Sequence, residues 1–283
     1  MILTVCPSPC IDVNMEVDNL SVGMSNKIIN KRVFFTGNAL NVAIGLSRLN
    51  ASVFATGFMY EDNGSQFERE LHKEGVPYKF VWNTGRVREN YKFIDRKSML
   101  TEVVENPVSV SSQKEQELIA LIGDLSKTCS AIVLSGAFAK GMSVDFYSKV
   151  LSAIPKDVVR IVDSEGDRLN YALSCGVDLV KPNLDELERT VKRKITSKQE
   201  MLECCQILLD RGAKRVLLSL GKSGAVITDG TKNYYCKSIN VAMNSTIGAG
   251  DGMVAGATNA LLKDMPLKEI LRCGVAAGSA AVT

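Results

Sequence analysis

The sequence predicts an α/β protein with a mostly parallel sheet, helices on both of its faces, and a small second β-sheet attached. Three observations predict it. From Ser112 onward, apolar runs of strand length alternate with helical stretches, and such βα crossovers lay helices over both faces of a parallel sheet. Polar or glycine residues recur where those strands end, at Asp163, Asn183, Ser219 and Gly221, the edge where ligands collect in open α/β sheets. Before Ser112, segments alternating with a period of two read as the small sheet.

The elements follow in order. Residues 2–5 are a short apolar strand, and Asp12 comes shortly after Pro7 and Pro9, at its carboxyl end. There Asp12 either binds a ligand hydroxyl or caps a turn. Residues 26–35 mix β-branched and basic side chains in partial alternation, as in a strand with one wet face. Thr36, Gly37, Asn38 and Asn41 then open a helix running through Ala43, Leu46 and Leu49; this is a possible ligand-facing amide site or an ordinary Asn-capped start. Residues 52–57 read as a strand, 65–74 as a helix and 78–82 as a strand.

Residues 87–95 and 99–104 form a hairpin whose alternation puts Arg88, Asn90 and Lys92 on one face and Tyr91 and Phe93 on the other. With residues 26–35 it makes a small sheet, polar on one side, laid over the main body. An exposed, salt-bridged hairpin is the plainer alternative. Helices over 112–127, 144–154 and 197–211 alternate with strands over 131–134, 158–162 and 216–220. A further helix begins at Leu184, and 224–228 pairs with 232–236 around Asp229 and Gly230. The apolar segment 274–283 ends inside a helix, which leads us to expect more native chain beyond Thr283.

Composition narrows the function classes. Of 283 residues 46% are hydrophobic and 23% charged, enough for one large α/β domain over 1–283 with an embedded subdomain from about 12–36 and 87–105. Net charge is +3, with no Lys/Arg run, so neither nucleic acid nor a membrane surface is an expected partner. No apolar span reaches membrane length, and because residues 1–5 enter a strand at once without a basic start, a signal peptide is not expected. Eight scattered cysteines without a C-x-x-C pair suit reduced thiols in the cytoplasm. His72 is the single histidine, which excludes a multi-histidine zinc site and leaves no context for a Ser-His-Asp triad.

The chemistry is expected between Asn244 and Ala260. Gly248, Gly250 and Gly252 bracket Asp251, and small apolar residues continue at helical spacing. A tight turn opening a buried helix exposes its first amides and the positive end of its dipole, a site for a phosphate. A carboxylate there would repel the phosphate unless it had work to do, such as taking a proton from an attacking hydroxyl. The alternative is a glycine-rich packing turn capped by Asp251.

Ile247-Gly-Ala-Gly-Asp251, with Lys181-Pro-Asn-Leu-Asp-Glu186, Ser219-Leu-Gly221 and Asp12, resembles the ribokinase-like sugar kinases of the phosphofructokinase B family over essentially the whole chain. Lys27, the Arg88-x-Asn90-x-Lys92 pattern followed by Thr101-Glu102, and Ser245 in place of the ribokinase aspartate look most like the branch acting on ketohexose monophosphates. The resemblance implies ATP and Mg2+ as cofactors, and Asp251 as general base beside an anion hole of the Gly248, Ala249 and Gly250 amides. Asp12, Gly37 and Asn41 would hold sugar hydroxyls; Lys27, Arg88 and Asn90 would hold a substrate phosphate. Asn183 and Glu186 would organise Mg2+, partly through water, while Lys181, Ser219, Gly221 and Gly224 would line the nucleotide site. The small sheets would pair in a homodimer. The implied reaction converts tagatose 6-phosphate to the 1,6-bisphosphate or, alternatively, fructose 1-phosphate to its bisphosphate. A kinase of another sugar or a nucleoside, or a non-catalytic relative, would share these features.

The chain departs from the family pattern of a glycine pair followed by Lys-Gly-x-Asn. Thr36 replaces the first glycine, Asn38 the lysine and Ala39 the next glycine, and Ser8 stands where asparagine is usual. Loss of a lysine beside the sugar implies a missing phosphate contact. Ser245 argues against potassium activation.

Overall fold

The computed structural model describes residues 1–97, 99–239 and 248–282. Asn244, Ser245, Thr246 and Ile247 of the predicted turn, and Thr283, lie outside them. A nine-stranded sheet runs in the order β13-β12-β11-β10-β9-β8-β1-β4-β5. Its strands are β1 (Ile2–Cys6), β4 (Val53–Tyr60), β5 (Tyr78–Asn83), β8 (Ala131–Ser135), β9 (Val159–Asp163), β10 (Leu179–Val180), β11 (Val216–Ser219), β12 (Ala225–Thr228) and β13 (Asn233–Cys236). Pairing is parallel from β5 to β11 and antiparallel across β11, β12 and β13. β1 and β8 are buried at every position, as expected of strands covered on both faces.

The second sheet has the order β3-β2-β6-β7, from β2 (Cys10–Val17), β3 (Ile28–Thr36), β6 (Arg88–Ile94) and β7 (Leu100–Val104). The 87–95 and 99–104 runs do form its antiparallel hairpin. The strand β2 departs from the expectation for Asp12. Rather than following the carboxyl end of β1, Asp12 sits inside an eight-residue strand paired with β3 and β6. The alternation of Cys10, Asp12, Asn14 and Glu16 with Ile11, Val13, Met15 and Val17 is the signal that identifies it. The edge ring of Phe35 stands T-shaped on Phe67, 5.3 Å between centroids, tying this sheet to helix α2 (Ser65–Lys73).

Helix α1 (Asn38–Arg48) begins at Gly37 without a side-chain cap, so it is not the Asn-capped start of the plainer reading. Between the sheet strands run α3 (Ser112–Ser126), α4 (Phe146–Ala153), α5 (Gly166–Leu173), α6 (Leu184–Val191) and α7 (Lys198–Asp210). Of these, α5 was not anticipated, because its eight residues carry a mixed polar sequence. The chain then forms α8 (Ala249–Leu261) and α9 (Leu267–Ala280). These two pack backbone to backbone: a Cβ at Gly256 would fall 2.4 Å from the Cys273 carbonyl oxygen. The contact is tighter than side chains allow, and it fixes where α8 starts.

Candidate active site

The site lies along the carboxyl edge of the large sheet, where β1, β8, β9, β10 and β11 end. Its centre is the first turn of α8. Gly248 holds φ at +88°, with none of the described residues within 4 Å of the place a Cβ would occupy. The glycine therefore serves backbone angle rather than packing. Among the described residues no side chain caps this end, which leaves the Ala249 and Gly250 amides available to an anion. A Cβ on Gly250 would lie 3.1 Å from Lys181 Nζ, so the ammonium stands against the backbone of the first turn of α8 at Gly250.

Asp251 is 5% exposed. Its Oδ2 accepts from Asn41 Nδ2 at 2.8 Å and its Oδ1 from Asn38 Nδ2 at 3.1 Å. Burial, reinforced by the charge of Asp163, pushes its carboxyl up to about 7, against the pull of Asn41, Lys181 and Asn38. A buried acid that is half ionised near neutrality is suited to accept a proton.

Lys181, just past β10, is paired with Asp163 at the end of β9, Nζ to Oδ1 3.1 Å. Ser135, at the end of β8, donates to the other oxygen of Asp163 at 3.1 Å. Burial works against the Lys181 charge, but Asp163, Glu186 and Asp251 outweigh it and hold the ammonium above the ordinary lysine range.

One turn on, Asn183 and Glu186 cap α6 reciprocally: Glu186 N donates to Asn183 Oδ1 and Asn183 N to Glu186 Oε2, both at 2.8 Å. Part of the Asn-x-x-Glu spacing is thus a capping box. Glu186 Oε1 takes none of the described hydrogen bonds. Burial lifts this carboxyl above the ordinary glutamate range, with Lys181 opposing. On the next strand, Ser219 bridges to Asn183, followed by the turn Gly221–Ser223. Gly224 is set by packing, since a Cβ there would meet the Cys236 carbonyl oxygen at 2.0 Å.

The small sheet supplies a second polar cluster. In register, Cys10 faces Arg88 and Asp12 faces Asn90, so these side chains share a face. Asn90 Nδ2 donates to Asp12 Oδ1 at 3.0 Å and Lys92 Nζ to Asp12 Oδ2 at 2.9 Å. Among the described residues, Arg88 Nε, Asn14 Oδ1 and Asn90 Oδ1 are buried with no hydrogen-bond partner. Orphaned polar atoms in one patch are what a binding site without its ligand presents. Thr36 faces Cys10 across the sheet, which puts the base of this cluster next to Gly37 and hence to Asn38 and Asn41.

Lys27 is not brought to this group. Val17 pairs with Ile28 and Asp12 with Phe34, and six residues of extended chain span about 20 Å. Cys6 and Cys10 are not joined in a disulfide; both are free thiols, and Cys10 Sγ lies 3.1 Å from Thr36 Oγ1.

A model of the pfkB family of carbohydrate kinases matches residues 4–283. The chain belongs to that family. This carbohydrate kinase is 29% identical over 282 residues to 1-phosphofructokinase of Borreliella burgdorferi, covering 99% of this chain and 91% of the relative. It is 26% identical over 276 residues to tagatose-6-phosphate kinase of Staphylococcus epidermidis, covering 96% and 89%. Among solved structures, Escherichia coli phosphofructokinase-2 in complex with fructose-6-phosphate superposes with a TM-score of 0.90 at 29% identity, covering 99% of this chain and 93% of that one. The fold of the kinase is therefore ribokinase-like. No described helix is long and apolar enough to cross a membrane.

Three residues at the site stand outside the sequence-based set. From the sequence Asn38 reads as a lost lysine, Asp163 as one of the polar strand ends at the ligand edge, and Lys92 as part of the Arg88-x-Asn90-x-Lys92 pattern of the basic hairpin, without a role of its own. Their sequence signals were present; their partners, 28 to 213 residues away along the chain in the case of Asp163 with Ser135 and Asn38 with Asp251, were not.

Proposed function

We propose that the protein transfers the γ-phosphoryl group of ATP to a free hydroxyl of a ketohexose monophosphate, giving the bisphosphate. The observation that carries this reading is Asp251: a buried carboxylate in the first turn of α8, gripped on both oxygens, beside uncapped amides and the Lys181 ammonium. Asp251 takes the proton of the attacking hydroxyl as its oxygen bonds to phosphorus and ADP leaves. The amides of Ala249 and Gly250, with Gly248 shaping the turn, stabilise the charge on the migrating group. Lys181, Ser219, Gly221 and Gly224 border the nucleotide.

Asn183 and Glu186 fit Mg2+, for Glu186 offers a free oxygen on a desolvated carboxylate next to Asp163, and hard cations take oxygen ligands with several waters retained. When bound, the ion neutralises charge on the nucleotide phosphates.

A substrate that already carries a phosphate is supported by Arg88, whose buried Nε lacks a partner among the described residues and whose guanidinium suits bidentate phosphate binding. Asp12, Asn41, Gly37 and Asn90 meet the sugar. Tagatose 6-phosphate is the substrate we favour; the name of the Borreliella burgdorferi relative supports fructose 1-phosphate as the second reading. ADP release measured with these two, with fructose 6-phosphate and with unphosphorylated hexoses tests the proposal. Turnover of a ketohexose monophosphate, abolished in Asp251→Asn, is expected; turnover of free sugars only, or full activity of Asp251→Asn, refutes it.

We also propose a cytoplasmic homodimer through the small sheets. Ile28, Ile29, Val33 and Phe34 of β3 and Leu100, Val103 and Val104 of β7 are exposed on the two edge strands of the small sheet, and open apolar edges of this sort favour association.

A further inference from the structure

The first turn of α1 and the first turn of α8 meet at one carboxylate. Asn38 and Asn41, three residues apart and so on one face of α1, each donate a side-chain N–H to a different oxygen of Asp251. Asn41 is half-buried, whereas Asn38 is exposed. The carbonyl end of Asn38 lies against Gly136, where a Cβ would sit 3.3 Å from its Oδ1. Its carboxamide is thus flanked by β8 on one side and by the acid on the other. The neighbouring position, Asn41, cannot fix the carboxylate plane alone, because one hydrogen bond leaves rotation about the Cβ–Cγ bond free.

We propose that Asn38 is a positioning residue: with Asn41 it forms a two-pronged amide clamp that fixes the plane of the Asp251 carboxylate and tunes its basicity. The inference rests on the reading of Asp251 as the base. It turns the replacement of lysine by Asn38 from a lost phosphate contact into a neutral donor to the base. A lysine ammonium at the same place would favour the ionised acid far more and leave it a weaker base.

The charged and titratable groups facing Asp251 are Asp163 from β9, Lys181 after β10 and Cys6 from β1. Substitutions at Asn38 leave all three in place. Removing the donor should raise the pH at which Asp251 ionises, and adding a cation should lower it.

The test uses the purified full chain as parent, Asn38→Ala, Asn38→Asp, Asn38→Lys and Asp251→Asn. Two quantities are followed from about pH 5 to pH 9: kcat on the ketohexose monophosphate that the parent phosphorylates, and the carboxyl carbon shift of Asp251 in 13C-labelled protein without substrate. In Asn38→Ala both acid limbs should move up by about half a unit to one unit. They should move further up in Asn38→Asp and down in Asn38→Lys, with KM for ATP within about twofold of the parent. Coincident titrations in the parent and all three Asn38 variants, with Asp251→Asn inactive, refute the clamp while leaving the base assignment standing. Full activity of Asp251→Asn refutes the assignment itself, and the clamp with it.

Discussion

Lys181 Nζ lies 3.1 Å from Asp163 Oδ1, and both side chains are buried, 5% and 7% exposed. Removing one member of such a pair leaves an uncompensated charge, which typically costs about 3–5 kcal/mol. Lys181→Met should therefore lower stability by roughly that amount at neutral pH. The loss should largely disappear in the double variant Lys181→Met/Asp163→Leu, because neither charge then remains. Denaturant unfolding of the parent, both singles and the double checks it. A single-variant loss that persists in full in the double would show that the pair is not the source. Activity should fall in both cases, since the ammonium stands against the first turn of α8.

The acid at the centre of the site works against the fold. The Asp251 carboxyl is held at about 7, above its ordinary value of 3.8, so the folded state prefers the protonated form. The penalty is absent below about pH 4, grows as pH rises through the interval, and is fully present above about pH 7, amounting to on the order of 4 kcal/mol at most. Asp251→Asn should accordingly be more stable than the parent at pH 8, by roughly 2 kcal/mol or more, with little gain near pH 4. Thermal melting of both proteins across that range decides it; equal gains at both ends would rule out titration as the cause. In the parent, kcat should fall on acidification through neutrality as the base takes up its proton.

Arg88 and Lys92 are not equivalent. Lys92 is committed to Asp12 at 2.9 Å, while Arg88 has a buried Nε unpaired among the described residues. Arg88→Ala should raise KM for the sugar phosphate by about tenfold to a hundredfold, the value of a charge-assisted contact, with KM for ATP unchanged and stability nearly so. Lys92→Met should cost stability as well, because Asp12 would then be buried without its cation. Steady-state kinetics with urea unfolding separates the two behaviours. An Arg88 variant with parental KM for every ketohexose monophosphate would remove the phosphate contact from the proposal.

These assignments mark what could be read from residue order. Alternating and helical periods mark both hairpins and the βα units other than the short, mixed-polar α5, and the glycines around Asp251 mark the start of α8, since each is a local pattern. The strand carrying Asp12 shows the same kind of alternation, but Pro7 and Pro9 just before it favour a turn, so the local signals conflict there. Partnership was not legible. That Asn38 grips Asp251, that Lys92 neutralises Asp12 and that Asp163 holds Lys181 depend on strand order and register, which bring together residues far apart in the chain. Lys27 shows the converse. Its chemistry suited a phosphate, but its register places it at the far end of β3, about 20 Å along the strand from Asp12.

The exposed apolar side chains of the small sheet supply the last prediction. Phe34 is 44% exposed and Val103 55%, and both lie in strands whose partners cover one edge only, since β3 and β7 end the sheet order. Open edges with apolar side chains associate unless blocked by charge. A charge at both positions, Phe34→Asp with Val103→Lys, should shift the protein to a monomer in sedimentation equilibrium at micromolar concentration. Burial of an isolated charge in a dimer core is costly, whereas on a free surface it is almost neutral. Monomer stability should thus change by less than about 0.5 kcal/mol. A parent that is already monomeric under these conditions would refute the homodimer through the small sheets. A dimer unaffected by both charges would place its interface elsewhere on the molecule.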